Sequence, residues 1–285
     1  MNQKFNLGVI QMKVSESKAD SVHKAIENIA YMADKGAHIV VLPEMFNCPY
    51  ETHRFPAYAE VEGGDTYQKM SEIAKKKKIY LIAGSIPELE VASEGDRIYN
   101  TTYIFGPNGN PIGKHRKMHL FEIDIINGQY FSEAETLTAG KSVTVVETEF
   151  GKIGVAICFD IRFPELARLM AEQGAEMLIY PAAFNMTTGP AHWELLFRSR
   201  AIDQQVFTVG CAPARDYESN YISYGNSIVV NPWGEVIGRL SDEEGYLFGE
   251  IDLDEVSHIR TQLPLTQSIR RDTYELKMIL KEDYA

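Results

Sequence analysis

Cysteine is scarce. Only three occur in 285 residues, Cys48, Cys158 and Cys211. That leaves no disulfide framework, and the odd count suits a reducing compartment. Basic charge is also short: 28 Lys and Arg against 40 Asp and Glu give a net charge of −12. This balance argues against a broad nucleic-acid footprint, so no nucleic-acid partner is expected. The one concentrated basic run, Lys75-Lys76-Lys77-Lys78, closes an expected helix, where cations suit the negative helix end. No apolar run approaches the roughly 20 residues that cross a bilayer, so no membrane partner is expected. Met1-Asn2-Gln3-Lys4-Phe5 leads into a strand without an apolar leader core. The expectation is a cytoplasmic protein. No low-complexity linker divides the chain, and 45% hydrophobic residues can build one large core.

Strand-like and helix-like segments alternate throughout, which points to an α/β fold. Phe5 to Met12 reads as a strand. Ser21 to Lys35 reads as a helix with Val22, Ile26, Ile29 and Met32 on one face and Gly36 to close it. A strand over His38 to Leu42, a helix over Thr66 to Lys78 and a strand over Ile79 to Ala83 follow. Gly106-Pro107-Asn108-Gly109 marks a turn between two strands. Further hairpins are expected at Phe150-Gly151-Lys152 and Asn231-Pro232-Trp233-Gly234. Between them, Ala191 to Gln205 reads as a helix and Val206 to Cys211 as a strand.

The chain also echoes itself. Gly8-Val9-Ile10-Gln11-Met12 is similar to Gly154-Val155-Ala156-Ile157-Cys158, and after a helix in each case Gly36 to Glu44 is similar to Gly174 to Ala182. Each half reads as a strand–helix–strand unit. Two such sheets could pack face to face, with helices on both outer faces. Glu44 and Cys158 would then lie at the carboxyl ends of strands, where α/β folds place their sites.

Cys158 follows a buried-strand run and precedes Phe159-Asp160-Ile161-Arg162-Phe163-Pro164-Glu165. Pro164 fits the first turn of a helix, where no N–H is needed. A thiol on such a turn, near unpaired N–H groups and a helix dipole, is expected to favour the thiolate. It is either a nucleophile for a covalent intermediate or a buried structural cysteine. Glu44 ends another apolar run. It is either a general base of raised pKa or a cap. Lys117 lies in Lys114-His115-Arg116-Lys117-Met118-His119. Strand alternation puts His115, Lys117 and His119 on one face, and one inward lysine could stabilise an oxyanion. His115 and His119 have the spacing of a helical metal pair, but a strand or loop is expected there, with no acidic or cysteine partner alongside. No metal site is expected. Thr138-Ala139-Gly140-Lys141-Ser142 lacks the first glycine of a phosphate-binding loop, since position 135 is Glu. Glu133 by itself reads as a surface carboxylate.

Leu42-Pro43-Glu44, His115-Arg116-Lys117 and Ile157-Cys158-Phe159-Asp160-Ile161-Arg162-Phe163-Pro164-Glu165 stand in the order of the nitrilase superfamily of carbon–nitrogen hydrolases. The resemblance runs through Asn231-Pro232-Trp233-Gly234 and so spans nearly the whole chain. It implies an α-β-β-α sandwich and a catalytic triad of Glu44, Lys117 and Cys158, with Glu133 as a supporting carboxylate. It also implies one hydrolase domain over residues 1–285, with a segment from about 255 to 285 as an extension used in dimer contacts. Homodimers or larger homo-oligomers are therefore expected, and no cofactor. Pro43 to Tyr50 and Phe184 to Leu196 are most similar to the omega-amidase branch. Cys48 replaces a more usual Ser, and Phe159 a frequent Tyr.

The implied substrates are short 2-oxo dicarboxylic acid monoamides, with a carboxylate remote from the amide. Arg162, four residues past the nucleophile, is the expected carboxylate ligand, because a guanidinium grips a carboxylate through two hydrogen bonds. A structural salt bridge is its alternative role. Tyr50, Phe184 and Thr188 match pocket positions, and Phe159 is expected to offer its backbone N–H. Neighbouring branches, acting on N-carbamoyl amino acids, deaminated glutathione or nitriles, would use the same triad. A non-catalytic interaction protein is the reading of a different class.

Overall fold

A computed structural model describes residues 4–126 and 129–279. The first seven strands in chain order are β1 (Lys4–Gln11), β2 (Ile39–Val41), β3 (Glu60–Val61), β4 (Tyr80–Ile82), β5 (Ile86–Glu90), β6 (Arg97–Phe105) and β7 (Pro111–Arg116). A separate hairpin pairs β8 (Glu122–Asp124) with β9 (Tyr130–Ser132). Then come β10 (Val145–Glu147), β11 (Lys152–Val155), β12 (Met177–Pro181), β13 (Phe207–Cys211), β14 (Ile228–Val230), β15 (Val236–Arg239) and β16 (Gly245–Asp252). One sheet runs β16-β1-β2-β4-β6-β5-β3 with β7 beside β6; the other runs β10 to β15 in order. The helices are α1 (Lys18–Asp34), α2 (Phe55–Tyr58), α3 (Asp65–Lys77), α4 (Pro164–Glu172), α5 (Gly189–Gln204) and α6 (Asp254–Gln262).

Strand alternation builds the layers. Phe5, Leu7 and Val9 face Val155, Ile179 and Val209 in one core between the sheets. Ile10 and Val40 point the other way, into a second core with Ile29 of α1 and Ile73 of α3. On the far side Leu178 packs with Met170 of α4 and Phe197 of α5. The expected α-β-β-α sandwich is what these three cores make. The expected helices and hairpins are all present, with ends shifted by a few residues.

The internal echo is a register, not only a likeness of letters. Gly8 pairs with Val40 across the parallel β1–β2 ladder, and Gly154 with Leu178 across β11–β12. A Cβ on Gly8 would lie 2.9 Å from the end of Met32, and one on Gly154 2.9 Å from the sulfur of Met170. Each glycine therefore lets a crossover helix press a methionine onto its sheet. The two halves solve the same packing problem with matching residues. Among the described residues no helix is long and apolar enough to cross a membrane.

Candidate active site

The two half-units deliver one residue each. Glu44 lies three residues beyond β2, and Cys158 three beyond β11. Both turns are tight: Met45 has φ 50° and Cys158 has φ 46°. A side chain in the left-handed region costs on the order of 1–2 kcal/mol, so the thiol sits on a strained residue. One detail differs from the sequence expectation. Pro164 does open α4, but a 3-10 turn over Cys158–Arg162 comes between strand and helix.

Lys117 follows directly on β7, and Glu133 opens a 3-10 turn directly after β9. The side chains of Glu44, Lys117 and Glu133 are all fully buried. Lys117 Nζ donates to Glu44 Oε1 at 2.9 Å and pairs with Glu133 Oε2 at 2.8 Å. The second Glu44 oxygen accepts the Ala183 N–H at 2.7 Å. Glu133 Oε2 accepts the Phe121 N–H at 2.6 Å. So Glu133 is no surface carboxylate: it is the second anion on one buried ammonium.

Burial raises the Glu44 pKa; the nearby Lys117 charge opposes this, and Glu133 adds to it. Burial alone would push the Lys117 ammonium down, but Glu133 and Glu44 outweigh it and raise its pKa. Burial, then the Glu44 charge, push the Cys158 thiol well above its ordinary value. This corrects the expectation of a resting thiolate. Two carboxylates and a desolvated pocket dominate over any nearby dipole, so the resting sulfur is a thiol.

Three participants were missed in the sequence. Asn100, mid-strand in β6, donates to Glu44 Oε1 at 2.8 Å. Its own carbonyl accepts the Lys117 N–H at 2.9 Å. An asparagine inside a β-branched and aromatic strand was the available signal. Gly140, in the rejected phosphate-loop motif, donates its N–H to the Lys117 carbonyl at 2.8 Å. A Cβ there would lie 2.0 Å from the Arg116 carbonyl oxygen, so only glycine allows the approach. Asp160 accepts from both rings of the histidine pair whose spacing was set aside as a metal site, His115 at 3.0 Å and His119 at 2.7 Å.

The pocket candidates divide. Cys158, Phe159, Arg162, Phe184 and Thr188 line one cavity of about 10 Å³, at most one water's space. Arg162 lies over the Phe184 ring at 4.9 Å and the Phe159 ring at 5.4 Å. Thr188 donates its hydroxyl to Asn185 at 2.9 Å. Phe159 is second in the 3-10 turn, where the turn's own bonding leaves the first N–H groups unused. Tyr50 contacts Glu133 through its hydroxyl at 2.8 Å and both Glu44 and Lys117 at 3.2 Å, which places it with the charged cluster, while its ring lies 4.6 Å from that of Tyr221 on the cavity wall.

The family model described as carbon–nitrogen hydrolase matches residues 6–261. Omega-amidase NIT2 of Danio rerio is 48% identical over 276 residues, covering 97% of this chain and 98% of that protein. Omega-amidase NIT2 of Homo sapiens is 46% identical over 274 residues, covering 96% and 98%. Among solved structures, Saccharomyces cerevisiae Nit3, a member of branch 10 of the nitrilase superfamily, superposes with a TM-score of 0.86. It is 41% identical and covers 94% of this chain and 97% of its own. The chain belongs to the carbon–nitrogen hydrolase family of the nitrilase superfamily and is a hydrolase of carbon–nitrogen bonds other than peptide bonds.

Proposed function

We propose that this enzyme is an omega-amidase. It hydrolyses the terminal amide of short dicarboxylic acid monoamides, such as 2-oxoglutaramate and 2-oxosuccinamate, to the acid and ammonia. Arg162 carries the reading. Its guanidinium is partly buried in the Cys158 cavity, and burial lowers its pKa. Its Nη1 meets the His192 ring at 3.1 Å, its Nε is buried without a partner, and no carboxylate pairs with it among the described residues. A desolvated cation without an anion is costly. A substrate carboxylate completes it, and the guanidinium fork suits that ligand. The names of the relatives above agree with this substrate class.

In the proposed reaction Glu44 takes the Cys158 proton as the sulfur attacks the amide carbonyl. Lys117 and the Phe159 N–H hold the developing oxyanion. Glu44 returns its proton to the leaving ammonia. It then activates water, supported by Glu133, to hydrolyse the thioester. A raised Glu44 pKa suits both the base and the acid role. The steps use no metal or organic cofactor.

The same reading takes residues 1–285 as one hydrolase domain of a cytoplasmic homodimer or larger homo-oligomer. The described part of the segment beyond the family match supports an extension at the dimer contact. It leaves Leu263 at 42%, Tyr274 at 62% and Ile279 at 62% exposure. Residues 280–285 lie outside the described residues.

The test reads ammonia from purified protein offered monoamides, N-carbamoyl amino acids and nitriles. The 2-oxo monoamides are expected to be the best substrates, and Cys158→Ala to release none. Arg162→Lys keeps the charge but loses the fork. It is expected to lower kcat/KM for 2-oxoglutaramate about 10- to 100-fold, and much less for a neutral monoamide of similar length. Equal losses on both substrates would remove Arg162 as the carboxylate ligand.

A further inference from the structure

One helix, α5, reaches Arg162 twice. It starts with Gly189 against the Tyr224 ring, where a Cβ would come within 2.4 Å of a ring carbon. The buried Trp193 donates its Nε1–H to the Asn226 carbonyl at 2.7 Å and meets the Phe184 ring edge-on at 5.1 Å. These contacts fix the first turn of α5 beside the Cys158 cavity. Farther along, Arg200 donates its Nε–H to the Ile161 carbonyl at 2.8 Å and so holds the backbone just before Arg162. His192 stands next to Trp193 and one turn past Thr188, whose carbonyl accepts the His192 N–H at 2.9 Å. From there its ring meets the Arg162 side chain.

The contact has a definite sense. A guanidinium only donates, so Arg162 Nη1 donates and His192 Nδ1 accepts at 3.1 Å. The His192 ring proton then sits on Nε2, and the ring is neutral. A neutral acceptor directs the guanidinium without cancelling its charge. A carboxylate in that place would form an ion pair and compete with an acidic substrate. No carboxylate meets Arg162 among the described residues.

What the ring leaves free matters as much. The Arg162 Nε is buried without a partner, and Nη2 donates to nothing among the described residues. In a planar guanidinium the N–H bonds of Nε and Nη2 run parallel along one edge. A carboxylate takes such an edge through two parallel hydrogen bonds.

We propose that His192 is a positioning residue for acid recognition: by holding Nη1 it leaves the Nε–Nη2 edge of Arg162 for the substrate carboxylate. This deepens the amidase reading and rests on it. The guanidinium is oriented before substrate arrives, so less side-chain freedom is lost on binding. The acid then binds side-on, with the ring on the far nitrogen.

Three variants at this exposed position separate acceptor, charge and bulk. His192→Leu keeps bulk and loses the acceptor. His192→Asn restores a neutral acceptor on the branch that carries Nδ1. His192→Asp restores an acceptor but brings an anion to Arg162. KM and kcat are read for 2-oxoglutaramate and for a neutral monoamide of similar length. His192→Leu is expected to raise KM for 2-oxoglutaramate about 5- to 20-fold, with a much smaller effect on kcat and on the neutral amide. His192→Asn is expected to recover most of that loss. His192→Asp is expected to be worse than His192→Leu on the anionic substrate alone, because its carboxylate competes for the guanidinium. An unmoved KM in His192→Leu would leave the ring without a role in recognition. Equal losses in His192→Asn and His192→Leu would mean that the acceptor is not what counts. Equal losses on both substrates would make His192 a support of α5, and a His192→Asp protein matching the wild type would remove the charge argument. Each of these results overturns the proposal while the amidase reading stands. A wild-type protein that leaves 2-oxoglutaramate untouched would instead remove the amidase reading, and this proposal with it.

Discussion

Lys117 makes two buried carboxylates tolerable. Glu44 and Glu133 both lean on its ammonium, and all three side chains are out of solvent. Removing the cation leaves two like charges buried, which typically costs about 3–5 kcal/mol. Removing Glu44 instead leaves a matched pair. The folded-state pKa of Glu44 is raised above its ordinary 4.5. Its stabilising contribution is therefore present below the unfolded pKa and lost as pH rises through the folded value. Glu44 therefore adds less to stability at neutral pH than in acid. Lys117→Met is expected to lower the denaturation midpoint strongly at pH 7. Glu44→Gln is expected to leave the midpoint unchanged or raise it, and both variants should be inactive. A Glu44→Gln protein as unstable as Lys117→Met would mean that Glu44 is a structural anchor. The activity profile follows from the same shift. The acid limb of kcat/KM is expected above 4.5, where Glu44 ionises. The Cys158 thiol, pushed well above its ordinary 9.0, is expected to add no alkaline limb near that pH.

At the scale of elements, one carboxylate fastens the nucleophile turn to β7 and the residues that follow it past Lys117. Asp160 accepts the Ile157 N–H at 3.0 Å and the His119 N–H at 2.9 Å, besides the two histidine rings. Burial alone would raise its pKa, but the His115 and His119 bonds outweigh burial and hold it well below the usual carboxylate range. Asp160→Asn turns one acceptor into a donor facing N–H groups. Leaving buried donors unmatched costs about 1–3 kcal/mol. As a positioning residue, Asp160 should affect kcat about 10- to 100-fold with little change in KM. A KM effect alone would point to the substrate pocket instead. The sequence announced much of this framework. The apolar periods of α1 and β1, the turn glycines and the Pro164 helix start are local signals, and the echo of Gly8 in Gly154 anticipated a shared register. What stayed hidden depends on residues far apart in the chain. Asn100 and Ala183 meet Glu44 only because strands from both sheets converge there. The resting state of Cys158 was misread because its turn is local while the anions that raise its pKa are not.

The whole molecule carries a net charge of −12, yet its proposed substrate is an anion. The two facts are reconciled by distance. At about 10 mM salt the summed negative field repels the substrate over roughly 30 Å, and at about 150 mM screening confines that field to about 8 Å. Within the cavity Arg162 acts over a few ångströms from a partly buried position, where salt screens much less. Raising salt should therefore remove more repulsion than attraction. For 2-oxoglutaramate, kcat/KM is expected to rise about 1.5- to 3-fold between 10 and 150 mM salt. For a neutral monoamide of similar length it should stay flat, which controls for effects of salt on the fold. A fall with salt for the anionic substrate alone would mean that surface cations steer it in. The first to replace would then be Arg97 and Lys141, cations on the wall of a surface cleft beside β7. The Arg162 step would in that case be preceded by capture at long range.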